Sequence, residues 1–206
     1  LRCWGLGVNS QLGNGSTANS SSPVAVTGIA DATGISAGVF HACAVVTGGA
    51  VKCWGFNTNG QLGNASTATS ATPVTVSGLT GVTTITAGQS DTCAATGDGA
   101  TYCWGGGALG ALGNGQVVDS QVPTRVADSS VANGIGAGVS LGCLINQVGQ
   151  VKCWGRNNWG QLGNGTTTAS SIANATPVST LIATTELTKY RAIANQLGKY
   201  ILAAVT

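Results

Sequence analysis

Seven cysteines are the residues in this sequence best placed to do chemistry: Cys3, Cys43, Cys53, Cys93, Cys103, Cys143 and Cys153. Six form couples of one spacing, Cys43 with Cys53, Cys93 with Cys103 and Cys143 with Cys153. Inside each couple stands a glycine, Gly49, Gly99 or Gly149. If Thr47-Gly48-Gly49, Gly97-Asp98-Gly99 and Gln147-Val148-Gly149 are the loops, each is a three-residue hairpin turn ending in a left-handed glycine. That register places the cysteines of a couple directly opposite one another, near enough for a disulfide. Zinc is the competing reading. Its sites usually show closer cysteine couples or added histidines, and His41 is the one histidine present. Each bridge would contribute about 2–3 kcal/mol by closing a short loop. Three of them point to an oxidising, extracellular setting. Cys3 has no upstream partner and is read as a free thiol or a link to another chain.

Other reactive groups are sparse. His41 has no evident partner, and its counterparts fifty and one hundred residues on are Asp91 and Leu141, so a surface or turn role is expected. The acids Asp31, Asp91, Asp98, Asp119, Asp128 and Glu186 are scattered over different loops and form no glycosidase-like pair. Asp98 is explained by its turn. No phosphate-cradling loop ends in Gly-Lys-Ser/Thr, and no calcium loop with spaced acids occurs. The expectation is a protein with neither enzymatic chemistry nor a cofactor.

The elements that must hold these residues recur every fifty residues. Cys3-Trp4-Gly5 is followed by Gln11-Leu12-Gly13-Asn14, Cys53-Trp54-Gly55 by Gln61-Leu62-Gly63-Asn64, Cys103-Trp104-Gly105 by Ala111-Leu112-Gly113-Asn114, and Cys153-Trp154-Gly155 by Gln161-Leu162-Gly163-Asn164. Each period adds a proline strand start (Pro23, Pro73, Pro123) and a small-residue strand ending in Ala-Gly (Ala37-Gly38, Ala87-Gly88, Ala137-Gly138). Four strands in such a period suit one propeller blade, so the fold class is all-β. Trp4, Trp54, Trp104 and Trp154 recur in register and are expected to pack between blades. Trp159 occurs in one repeat only, in a Gly-Asn loop beside Arg156, and is a candidate contact for a partner. Asn14, Asn64 and Asn164 begin glycosylation sequons but are more simply read as turn formers.

These phrases resemble the repeats of the regulator-of-chromosome-condensation family, in the disulfide-bearing form of bacterial secreted and surface proteins. The resemblance covers about residues 1–180, in repeats near 1–50, 51–100, 101–150 and 151–180, and implies a propeller, commonly of seven blades. It implies little about activity. The exchange-factor role of one relative belongs to a reducing compartment, which the paired cysteines disfavour.

Residues 181–206 form a divergent tail. Read as a helix, Tyr190, Ile193, Leu197, Tyr200, Ile201 and Ala204 share a face, with Thr185 as N-cap. Read as a strand, the end aligns with the repeat and puts Ala203 in a cysteine position. The composite expectation is a short helix near 185–197 and a closing strand near 199–206, which would set Cys3 against Ala203. The start at Leu1, inside the repeated phrase, reads as a processed chain or a portion of a longer one.

Composition bounds the partners. Charged residues are 7% of the chain and the net charge is +2, which gives no electrostatic case for nucleic acid. No apolar run reaches the eighteen residues of a membrane span. The expected role is an extracellular module that presents loops to a protein or a glycan at a cell surface. The rival is a structural subunit of a surface layer, fibre or appendage, joined to copies of itself through its termini.

Overall fold

The structure of the chain is a computed structural model that describes residues 1–127 and 131–174. Asp128 and the expectations for the tail, including the helix near 185–197, the strand near 199–206 and the Cys3–Ala203 pairing, lie outside the described residues.

Three antiparallel four-stranded sheets and one two-stranded sheet follow one another along the chain. The two-stranded sheet is β1 (Arg2–Gly5) with β2 (Ser20–Ala25). The first complete blade is β3 (Ala32–Ala37), β4 (His41–Val46), β5 (Val51–Gly55) and β6 (Ser70–Thr75), in that spatial order. β7 (Val82–Ala87), β8 (Asp91–Thr96), β9 (Thr101–Gly105) and β10 (Ser120–Arg125) make the second. The third is β11 (Ala132–Ala137), β12 (Leu141–Asn146), β13 (Val151–Gly155) and β14 (Ser170–Asn174). The fold is an all-β array of blades built from the fifty-residue repeat.

The middle hairpin of each blade follows from its turn. Gly49, Gly99 and Gly149 have φ of 76°, 85° and 79°, a left-handed conformation that glycine adopts without steric penalty. Val46 N–H bonds Ala50 O and Thr96 N–H bonds Ala100 O, which closes loops of three residues. Counting back from those pairs, Cys43 faces Cys53, Cys93 faces Cys103 and Cys143 faces Cys153. All three couples are disulfides, and Cys3 is a free thiol. Alkylation of the unfolded, unreduced protein should therefore label one cysteine by mass spectrometry, and reduction should raise the count to all seven. Labelling of three or more thiols before reduction would contradict the bridges.

The prolines depart from expectation. Pro23, Pro73 and Pro123 stand at the fourth residue of β2, β6 and β10, not at the strand start. Each of these is the outermost strand of its sheet, and the ladder shifts register just there, between the partners of Cys53 and Gly55 for example. A residue without an N–H is tolerated in such a bulged edge.

Blades join through their first strands and through tryptophan. A Cβ on Gly38 would sit 2.3 Å from Gly88 O, and one on Gly88 would sit 2.5 Å from Gly138 O. The Ala-Gly strand ends thus allow backbones to approach where side chains would collide. Ser36 Oγ accepts from Ala87 N–H and Thr86 Oγ1 from Ala137 N–H across the same seams. Farther out, Trp54, Trp104 and Trp154 are buried and donate their indole N–H to Gln11 O, Gln61 O and Ala111 O, each at 2.9 Å. Their rings lie flat against Gly13, Gly63 and Gly113, where a Cβ would come within 2.7–2.8 Å of the indole.

Trp4 breaks this pattern and corrects the expectation that it packs between blades: it is 64% exposed. The others reach an acceptor forty-three residues upstream, and this sequence has no residue there for Trp4.

Candidate recognition face

The register that pairs the cysteines also pairs His41 with Gly55, Asp91 with Gly105 and Leu141 with Gly155. The turn before β4 and the long loop after β5 therefore emerge at one end of the blade, and likewise in the other two. Phe56 N–H to Phe40 O, Gly106 N–H to Ser90 O and Arg156 N–H to Ser140 O tie turn to loop.

Most of each loop is scaffold. Gln11, Gln61 and Gln161 accept, through Oε1, the N–H of Asn9, Asn59 and Trp159. In the second and fourth repeats a buried asparagine fills the loop. Asn57 donates to Ser66 O and Ala68 O and accepts from Leu62 N–H, and Asn157 repeats this with Thr166 O, Thr168 O and Leu162 N–H. In the first and third repeats that position is Gly7 or Gly107, and Asn19 or Asp119 reaches in to accept its N–H instead. A Cβ at Gly107 would meet Val118 O at 1.9 Å, so the two solutions exclude each other. The sequence reading missed these asparagines; the alternation of Asn57 and Asn157 with Gly7 and Gly107 was the available signal. The sequon asparagines do form turns: Asn14 and Asn164 accept the N–H of Ser16 and Thr166.

What differs between loops points outward. Phe56 packs edge-to-face on Phe40 at 6.0 Å. Asn59 bridges to Asp119 in the next repeat at 2.8 Å. Leu109 takes a positive φ of 58° and is 43% exposed. In the fourth repeat Trp159 is 79% exposed, with the Arg156 guanidinium 4.7 Å from its ring centroid. The contact is a cation–π pair worth about 0.5–1 kcal/mol at an exposed site. Arg156 Nε is buried without a partner. The result is a rigid flat aromatic surface beside guanidinium donors, able to stack on a ring and bond a carboxylate or hydroxyl. A cleft of about 400 Å³ at the opposite end is lined by Leu79, Thr80, Asp98 and Tyr102, among others. Its carboxylate, Asp98, is held below the usual range by the Thr96 hydroxyl and Ala100 N–H that it accepts within its turn.

His41 and Asp91 are not at the surface. His41, expected in a surface or turn role, is 1% exposed. The residue fits because Gly38 leaves room for its ring. Its Nε2 lies 2.8 Å from Thr92 Oγ1, whose single proton goes to Gln61 O at 2.8 Å. Nε2 must therefore donate, which leaves Nδ1 a lone-pair acceptor with no partner. Burial lowers the His41 pKa to about 4. Asp91 occupies the same position one blade on, but the counterpart of Thr92 there is Gly142, which has no hydroxyl to offer. Its Oδ2 is buried unbonded, and burial raises its pKa to about 8 despite backbone N–H bonds. The two groups serve separate seams and do not combine into a catalytic pair.

The profile of the Regulator of chromosome condensation (RCC1) repeat matches residues 3–45, 49–95, 98–144 and 149–194. The chain belongs to the RCC1 repeat family. Solved structures of RCC1 propellers share its fold. Yeast RCC1 (Prp20), in a structure bound to Kap60, superposes with a TM-score of 0.74 at 19% identity, over 87% of this chain and 44% of that one. Prp20p from Saccharomyces cerevisiae gives 0.72 at 20% identity, over 85% and 46%. Human WBSCR16 gives 0.73 at 23% identity, over 87% and 48%. This RCC1-repeat chain thus spans less than half the length of those structures. Among curated proteins no match to the sequence was found. Among the described residues no helix is long and apolar enough to cross a membrane.

Proposed function

We propose that this RCC1-repeat chain is a non-enzymatic recognition module of an extracellular, oxidising setting, binding a protein or a glycan at a cell surface through the loop end of its blades. The observation that carries the reading is the exposed Trp159 with Arg156 stacked on it, held by a loop whose backbone is tied at Arg156 N–H, Trp159 N–H, Gly160 N–H and Leu162 N–H. Preorganised aromatic and arginine side chains are the usual high-energy contacts of an interface. Three disulfides accord with the compartment. Prp20, which shares the fold, is itself described bound to Kap60 and in binding to Gsp1p and histones.

The test is a biolayer screen of neutral and acidic oligosaccharides and of folded secreted proteins. For any ligand found, Trp159→Ala and Arg156→Ala should each weaken binding by about tenfold or more. Val148→Ala, at the exposed hairpin tip of the opposite end, should leave it unchanged. A ligand whose affinity survives Trp159→Ala sinks the reading.

A further inference from the structure

The cleft of about 400 Å³ at the hairpin-tip end of the second blade is of a size usual for small-molecule sites. Its walls are the loop 78–81 between β6 and β7, the hairpin tip 96–98 and Tyr102 of β9. The fifty-residue repeat supplies a direct comparison. In the first blade the position of Tyr102 is taken by Lys52, whose Nζ donates to Gly28 O at 3.4 Å. Gly28 and Gly78 are counterparts with φ of 68° and 67°, so the chain runs alike through both. The third blade has a lysine again, Lys152. Of the three complete blades, the second alone lacks it.

Without that lysine, neither Gly78 O nor the Tyr102 hydroxyl has a hydrogen-bond partner among the described residues. An acid has been gained instead. Asp98 stands where the first blade has Gly48. The Thr96 hydroxyl and Ala100 N–H both donate to Asp98 Oδ1, which fixes the carboxylate, holds its pKa below the usual range and leaves Oδ2 to accept from a ligand. Arg125, opposite Tyr102 in the ladder, is the weakest influence on Asp98 and does not line the cleft. The second cleft thus keeps the acceptor of a lysine-filled site, adds a negative charge and an aromatic ring, and has lost the cation.

We infer that this cleft is a binding site for a primary alkylammonium group, which donates to Gly78 O and Asp98 Oδ2 beside Tyr102 and lays its hydrocarbon stem along Leu79. The ligand is an ammonium because Lys52 already places one on the equivalent carbonyl within this chain. Its three N–H donors suit separate acceptors, and a tyrosine ring attracts a cation that comes over its face. The group is the end of a lysine side chain on a partner or of a small free amine. The site lies at the opposite end of the blades from the Trp159 loop, and it stands or falls apart from that reading.

Titration of n-butylammonium chloride into the isotope-labelled protein, followed by its amide resonances, tests this. Saturable shifts should appear at residues 78–81 and 96–102, with a dissociation constant in the millimolar range expected of a single exposed charge. n-Butanol, the same stem without the charge, should cause none. Tyr102→Lys should abolish the response, because the chain's own ammonium then fills the cleft. Asp98→Gly should weaken binding by about fivefold or more. Each substitution installs the residue that the first blade carries at that place, and an otherwise unchanged amide spectrum shows that the fold is kept. Nα-acetyl-lysine methylamide and cadaverine separate the two sources: the tighter of them names a partner's lysine or a free amine. No saturable shift up to about 100 mM, an equal response to n-butanol, or undiminished binding by Tyr102→Lys overturns the inference.

Discussion

Replacing Trp104 with alanine should destabilise the protein by about 3–5 kcal/mol, the range for removing a large buried aromatic. The indole is fully buried and belongs to the largest apolar cluster among the described residues, with Leu62, Val76, Leu79 and Val82. Its removal leaves a cavity at a seam between blades and strips Gln61 O of one of its two donors, Thr92 Oγ1 being the other. Gly63 cannot collapse into the space, because its loop is fixed by Gly63 N–H to Gly60 O and Ser77 N–H to Gly63 O. Urea unfolding should show a lower midpoint at an unchanged slope. The same substitution at Trp4 should cost the monomer less than about 0.5 kcal/mol, as for an exposed site. Equal losses at the two positions would refute the distinction between a filled and an open slot.

Stability should also fall by about 2 kcal/mol between about pH 6.5 and 8, the product of roughly 1.4 kcal/mol per pH unit and that interval. The sign follows from two buried groups. Asp91 has its pKa raised to about 8, so folding favours its neutral form. The stability it contributes is complete below the unfolded carboxyl value and is lost as the pH rises through 8. His41 has its pKa lowered to about 4. Its contribution is complete above the unfolded imidazole value of 6.5 and is lost as the pH falls through 4. From about pH 4 to 6.5 the slopes oppose and cancel, and above that range Asp91 acts alone. Asp91→Asn should abolish the decline on the alkaline side and uncover a rise with pH on the acid side. Denaturation curves at half-unit pH intervals would show it. A wild-type profile flat to pH 8 refutes the assignment.

These seams also mark where the sequence stopped being legible. The hairpins could be read outright, because turn glycine, strand period and cysteine spacing lie within ten residues of one another and each constrains the same register. Blade-to-blade relations were harder. The column His41, Asp91, Leu141 shows three unrelated side chains at one position, and nothing local says that Gly38 makes room for a ring or that Thr92 waits across the seam. Trp4 looked like its three counterparts because the residues around it are the same; its difference lies forty-three positions upstream. The prolines were misplaced because a bulge is a property of two strands together. At the recognition face, Trp159 and Arg156 stood out as breaks in a repeat, while Asn57 and Asn157, which hold the loops, passed as ordinary polar residues.

The three disulfides each staple the two middle strands of one blade and never cross from blade to blade. Under a pulling force the chain therefore behaves as three clasps on a string. Blades can separate and outer strands can peel, but the ten-residue span inside each clasp does not lengthen, which shortens the fully drawn chain by about 30 Å per bridge. A protease that nicks a hairpin tip between Cys93 and Cys103 likewise releases nothing, because the cut ends stay tied. For a protein exposed to shear or to hydrolases, damage at a tip leaves the array in one piece.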